Sequence, residues 1–178
     1  AWLWHKHPEV LLEYRGGDKA NYGIRQNMDI TNPAFLFYSE RIIRKMMEHY
    51  ASHPGIIGFQ VDNETTSRGV NNYNFQVSFV NYLKKKFQTP QNLNKVWGLN
   101  YWGMTIDSWE EVPPRDAVTN TGYKLEWARF NRQAVADFLK CGRARPASTI
   151  RSGIPTTARS GSTRCRARRS PGSPPPGR

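Results

Sequence analysis

The chain has 178 residues, with 26 Lys and Arg against 14 Asp and Glu and a formal net charge of +12. The excess is local: residues 141–178 hold nine Arg, no Lys and no acidic residue, which leaves 17 basic against 14 acidic side chains, a net of +3, for residues 1–140. No apolar run approaches the ~20 residues of a membrane span, and both cysteines, Cys141 and Cys165, lie in the basic part, so residues 1–140 hold neither a disulfide nor a thiolate metal site.

Ala1-Trp2-Leu3-Trp4 already reads as folded-domain sequence, without the basic and apolar regions of a secretory signal. Asn32-Pro33 predicts a helix start, because Asn accepts bonds from early backbone N–H groups and Pro is pre-set for the first helical position. Phe35, Tyr38, Ile42 and Met46 then recur at helical spacing, with Ile43, Met47 and Tyr50 widening the stripe. Ser52-His53-Pro54-Gly55 stops that helix. Ile56–Val61 follows as a short, mostly apolar run, the pattern of a strand buried on both faces in a parallel sheet. It ends in three polar residues, Asp62-Asn63-Glu64, and a polar loop from Thr65 to Asn72.

Phe75, Phe79, Leu83 and Phe87 mark a second amphipathic helix, with Lys84-Lys85-Lys86 near the C-terminus, where cations favour the helix dipole. Thr89-Pro90 opens a short helix carrying Leu93, Val96 and Trp97 and closed by Gly98. An aromatic loop spans Tyr101 to Arg115. A last helix sets Tyr123, Trp127, Phe130, Ala134 and Phe138 on one face. Helix, buried strand and helix in succession predict an α/β fold with a parallel sheet, and that order suits a barrel and an open doubly wound sheet alike.

After Lys140 the composition turns to Arg, Ser, Gly, Pro, Thr and Ala, and every Trp, Tyr and Phe lies before it. The sequence therefore divides into a folded domain at 1–140 and a disordered tail at 141–178. A break in mid-helix fits an out-of-frame translation or a cloning junction. The alternative is a genuine basic tail, and with it a nucleic-acid-binding protein, although the tail has no aromatic side chain to stack on a base.

Catalytic groups collect just past the carboxyl ends of parallel strands. Glu64 has that place, where partial withdrawal from water suits a carboxyl to donate a proton. The bland reading is a polar turn at 62–64, and the residue pattern leaves both open.

Gly58-Phe59-Gln60-Val61-Asp62-Asn63-Glu64 after His53-Pro54 resembles the segment that ends the fourth barrel strand of glycoside hydrolase family 42 β-galactosidases. Ala1-Trp2-Leu3 with His7–Leu11, Gly23-Ile24-Arg25 before Asn32-Pro33, Leu93–Gly98, Tyr101-Trp102 and Asp107–Glu111 are similar to further family segments, in the family's order, over about residues 1–140. The resemblance implies a partial (β/α)8 TIM barrel and hydrolysis of terminal β-D-galactosides by a retaining, two-glutamate mechanism. Glu64 is then the general acid/base, Asn63 the residue that bonds the sugar 2-hydroxyl, Arg25 a galactose contact and Trp102 an aromatic wall. It also implies a β-galactoside as the partner, a homo-oligomeric parent and a cytoplasmic location, with no cofactor, no membrane and no nucleic acid. Many members bind zinc through cysteines; Asp29 stands where the first would be and 65–72 contain none, so no metal is expected. The nucleophile of such a mechanism lies in the family beyond residue 140, so the chain is expected to be inactive alone. A retaining glycosidase of the same clan with another sugar specificity is the nearest alternative.

Overall fold

The computed structural model describes residues 2–14, 16–21, 23, 27–65, 71–114 and 119–144, the last four by backbone alone. Five α-helices follow in chain order: α1 (Trp2–Lys6), α2 (Pro33–Tyr50), α3 (Tyr73–Phe87), α4 (Pro90–Trp97) and α5 (Thr121–Ala144). Short 3₁₀ turns occupy Pro8–Val10, Tyr101–Gly103 and Trp109–Glu111. None of the described helices is long and apolar enough to cross a membrane.

The helix starts follow local chemistry. The Asn32 side chain accepts from the N–H groups of Ala34 and Phe35 at 2.9 and 3.2 Å, and Thr89 Oγ1 accepts from Asn92 N at 3.2 Å. Gly98 closes α4 in the left-handed conformation, at φ 66°, which glycine adopts without a Cβ penalty.

The core lies between α3, α4 and α5. Phe75, Phe79, Leu83 and Phe87 from α3 are buried with Leu93 from α4 and Tyr123, Trp127 and Phe130 from α5, and Leu99, Ile106 and Val112 of the connecting loop close its end. Phe79 is central: its ring meets Trp127 edge-on at 4.8 Å, Tyr123 edge-on at 5.1 Å and Phe130 at 5.4 Å. Burying one such ring contributes roughly 1.5–3 kcal/mol, and each favourable ring pair adds about 0.5–1.5 kcal/mol. The segment before α2 joins this core through Asn72, which accepts from Glu13 N at 2.8 Å and donates to the Leu11 carbonyl at 2.7 Å. Among the described residues of that segment two isolated bridges form, Leu11 with Met28 and Glu13 with Lys19.

Two sequence expectations are corrected. Ile56–Val61 is not a buried strand: no strand forms among the described residues, all six residues are exposed, and Ile57 is fully so. The cause is the absence of neighbours. A parallel strand exists only beside others, and among the described residues no backbone hydrogen bond joins 57–62 to another segment. The apolar stripe of α2 is likewise largely bare, with Ile42 58 % and Met46 49 % exposed and only Met47 buried. The last helix runs to Ala144, past the composition break at Lys140, and the rest of the tail lies outside the described residues.

One polar cluster braces the core. Glu126 is buried on α5, and its carboxylate accepts from Tyr82 Oη at 2.8 Å, Lys86 Nζ at 2.7 and 2.8 Å and the Arg129 guanidinium at 2.5 Å. Burial alone would raise the Glu126 carboxyl, but the bonds from Lys86, Tyr82 and Arg129 together outweigh it and hold the group below its ordinary value. Burial first, and then the bond to Glu126, push the Tyr82 phenol up to about 12.

Two outcomes follow. Phe79→Ala should remove about 3–5 kcal/mol of stability in urea denaturation, the usual cost of emptying a phenylalanine site. Ile42→Ala should cost under ~0.5 kcal/mol, and equal losses would mean that α2 is packed after all. Stability from the Glu126 cluster should be whole between about pH 5 and 10. Below that window it is lost as pH falls through the lowered Glu126 value, because the folded state holds the carboxylate and protonation releases its partners. Above it, stability is lost as pH rises through the raised Tyr82 value, because the folded state holds the neutral phenol. Thermal melts from pH 3 to 12 should show both limbs in the native chain and a flatter profile in Glu126→Gln.

Candidate active site

The candidate residues belong to the turn that follows the exposed run. After α2 the chain reverses through His53, whose N–H donates to the Tyr50 carbonyl at 3.0 Å and whose carbonyl accepts from Ile56 N at 3.0 Å. Residues 56–61 then extend in solvent to Asp62, where the backbone turns. Asp62 Oδ1 accepts from Asn63 N at 2.8 Å, and Asp62 Oδ2 accepts from Thr65 Oγ1 at 2.5 Å. Gln60 Nε2 donates to the Asp62 carbonyl at 3.1 Å and to Asn63 Oδ1 at 3.0 Å.

Asn63 and Glu64 are exposed, and Glu64 has a positive φ of 51°. Among the described residues Glu64 is therefore not withdrawn from water as its position suggests. Its neighbours Asp62 and Thr65 line a cavity of about 250 Å³ together with Asn27, Met28, Ile30, Phe35 and Phe138. Phe35 and Phe138 stack with ring centres 6.0 Å apart, which joins α2 to α5 at that cavity.

Arg25 lies outside the described residues. Trp102 sits in the Tyr101–Gly103 turn at φ 64°, 80 % exposed, with its ring edge-on to Tyr101 at 5.0 Å. It does not line the 62–65 cavity. The structure thus sets the two ends of the Glu64 turn on one cavity with Asn27, Met28 and Ile30, and leaves Trp102 as a separate exposed aromatic.

Asp29 is fully buried, and its Oδ1 accepts from the N–H and hydroxyl of Thr31 at 2.8 and 2.6 Å. Burial pushes its carboxyl up, and the two Thr31 bonds oppose that shift. Among the described residues no group of three or more His, Cys, Asp or Glu is placed to share a metal ion.

Sequence reasoning missed the Gln60–Asp62–Thr65 frame. The signal was local: an Asp with a hydroxyl residue three positions on is a recurrent way to close a turn. A second cavity, of about 340 Å³, is lined mainly by the apolar side chains of Leu93, Trp97, Ile106, Val112 and Tyr123, and holds none of the candidate residues.

The profile of the Glyco_hydro_42 β-galactosidases matches residues 1–165, which carries the likeness past the composition break at Lys140. Among characterised relatives, β-galactosidase BglY of Alicyclobacillus acidocaldarius is 32% identical over 160 residues, covering 88% of this chain and 23% of the relative. β-Galactosidase BgaA of a Planococcus species is 30% identical over 166 residues, covering 88% and 24%. Among solved structures, the β-galactosidase of Bacillus circulans sp. alkalophilus superposes with a TM-score of 0.77 at 26% identity, over 83% of this chain and 23% of that one. The cold-adapted enzyme of Rahnella sp. R3 gives 0.78 at 27% identity, over 84% and 22%. The chain spans about a quarter of the length of these relatives. A profile match over most of the sequence, with relatives agreeing in backbone as well as residues, establishes that the chain belongs to the glycoside hydrolase family 42 β-galactosidases.

Proposed function

We propose that this chain is the acid/base-bearing part of a retaining β-galactosidase, with residues 1–140 contributing to a (β/α)8 barrel and residues 141–178 lying outside it. The observation that carries the reading is the 62–65 turn. It offers Asn63 and Glu64 side by side at the end of an extended run, in a chain whose relatives are named β-galactosidases.

In this reading Glu64 protonates the oxygen of the leaving group as the glycosidic bond breaks, then removes a proton from the water that releases galactose. Asn63 bonds the 2-hydroxyl, a contact that strengthens as positive charge develops on the sugar ring. Arg25 and Trp102 contact the galactose, Trp102 by laying its ring on the apolar face of the sugar. Enclosure of Glu64 comes from segments of the barrel outside this chain.

Retaining hydrolysis also needs a second carboxylate about 5–5.5 Å from the first. The acids of the aromatic loop are occupied elsewhere: Glu110 lies 3.8 Å from Lys84 Nζ, and Glu111 accepts from Asp107 N at 2.9 Å. We assign the nucleophile to a segment beyond residue 140, so the chain by itself does not turn over galactosides.

An aryl β-galactoside assay tests this division directly. The purified chain should give no turnover above that of its Glu64→Gln variant; turnover abolished by that substitution would show the site to be complete. In the polypeptide that completes the barrel, Glu64→Ala should slow alkyl galactosides by about 10²–10⁴-fold. A dinitrophenyl galactoside, whose leaving group departs without a proton, should lose far less in its first step. Equal losses on both substrates would rule out the acid role. Sequencing the coding DNA across the Lys140 codon should reveal another frame that resumes helix and strand and supplies a strand-end glutamate; a single confirmed frame would make 141–178 a genuine part of the protein.

A further inference from the structure

We propose that Asp62 is a positioning residue for the Asn63–Glu64 pair, an inference that rests on reading Glu64 as the acid/base. Glu64 has φ 51°, a conformation that L residues other than glycine adopt at a cost because Cβ crowds the following carbonyl. Such a residue stays there only when its surroundings hold it.

Asp62 reaches both sides of Glu64. One carboxylate oxygen takes the N–H of Asn63 at 2.8 Å, and the other takes the hydroxyl of Thr65 at 2.5 Å. The residues before and after Glu64 are thereby tied to one rigid, planar group. A carboxylate suits this better than any neutral side chain, since both of its oxygens accept and charge-assisted bonds are about twice as strong. The same frame sets the amide of Asn63. Gln60 Nε2 bridges the Asp62 carbonyl at 3.1 Å and Asn63 Oδ1 at 3.0 Å, which fixes which way round that amide sits. Asp62 and Thr65 also line the cavity shared with Asn27, Met28 and Ile30, so the frame faces that segment across it. Asp62 touches no reacting atom in this scheme; it acts through the two residues that do.

The test uses the full 178-residue chain, isotopically labelled. In the native protein the one-bond Cα–Hα coupling of Glu64 should report a positive φ, and Asn63 N–H should exchange slowly. Asp62→Ala should move Glu64 to negative φ and speed Asn63 exchange by about tenfold, the loss of one hydrogen bond. Thr65→Val should give a smaller change, and Asp62→Asn, which keeps one acceptor, should restore most of the native signature. Melting temperatures of all three should match the native chain, because 62–64 are exposed. A Glu64 that stays at positive φ in Asp62→Ala, or a lowered melting temperature with the turn intact, would overturn the positioning role.

In the polypeptide that completes the barrel, Asp62→Ala should lower kcat about tenfold or more with KM little changed. Unchanged kcat would overturn the proposal even if the turn relaxes. Intact turnover in Glu64→Gln would instead remove the acid/base reading, while the coupling measurement still decides whether Asp62 sets the turn.

Discussion

The contact between Phe79 and Trp127 sets the distance between α3 and α5, and the rest of the described structure is built outward from it. Around those two rings lie Phe75, Tyr123 and Phe130, so the apolar mass of the chain is concentrated in one seam. α4 and the loop after it cap one end of the seam through Leu93, Leu99 and Ile106. The Glu126 cluster fastens its rim: a carboxylate taken from water beside two cations and a phenol holds α3 and α5 in register as well as together. Asn72 then hangs the N-terminal segment on the start of α3. α2, which leads into the candidate site, meets this seam at its margin through Phe35 on Phe138, and holds the N-terminal segment through Asn32 Nδ2, which donates to the Glu9 carbonyl at 3.0 Å, and Tyr38, which bonds His7 at 3.2 Å.

The parts of the fold that were legible in the sequence are those decided within a few residues. Asn32-Pro33 and Thr89-Pro90 start helices because a side-chain acceptor and a fixed φ act on the adjacent turn, and Gly98 ends one for the same reason. The spacing of Phe75, Phe79, Leu83 and Phe87 identified a buried face because its partners, Tyr123, Trp127 and Phe130, are in the same chain. Ile56–Val61 and the α2 stripe have equally clear patterns and are nevertheless exposed. Periodicity states what a segment is suited to bury, and burial itself depends on a partner from elsewhere. Glu126 was passed over for the opposite reason. A lone acid in a helix looks solvated until Lys86, 40 positions away, is brought beside it.

The site was legible as residue types and not as arrangement. The place of Asn63 and Glu64 at the end of an apolar run left a site and a polar turn both open, and the likeness to the family's strand-end segment made them candidates. The side chain that shapes their turn, Asp62, was read only as one more polar residue. Its role emerges from two short bonds and one positive φ, which are properties of coordinates.

The helical seam also has a consequence in time. Its outermost rings, Phe75 and Phe130, are 55 positions apart, so it can close within seconds of emerging from a ribosome that adds about 5–20 residues per second. The extended run before it is made earlier still and has no sheet to join. The nascent chain therefore carries a bare, uncharged hexapeptide, Ile56–Val61, while the seam that follows it is unmade. Gly58 interrupts that hexapeptide, which weakens its tendency to pair with another copy while it waits.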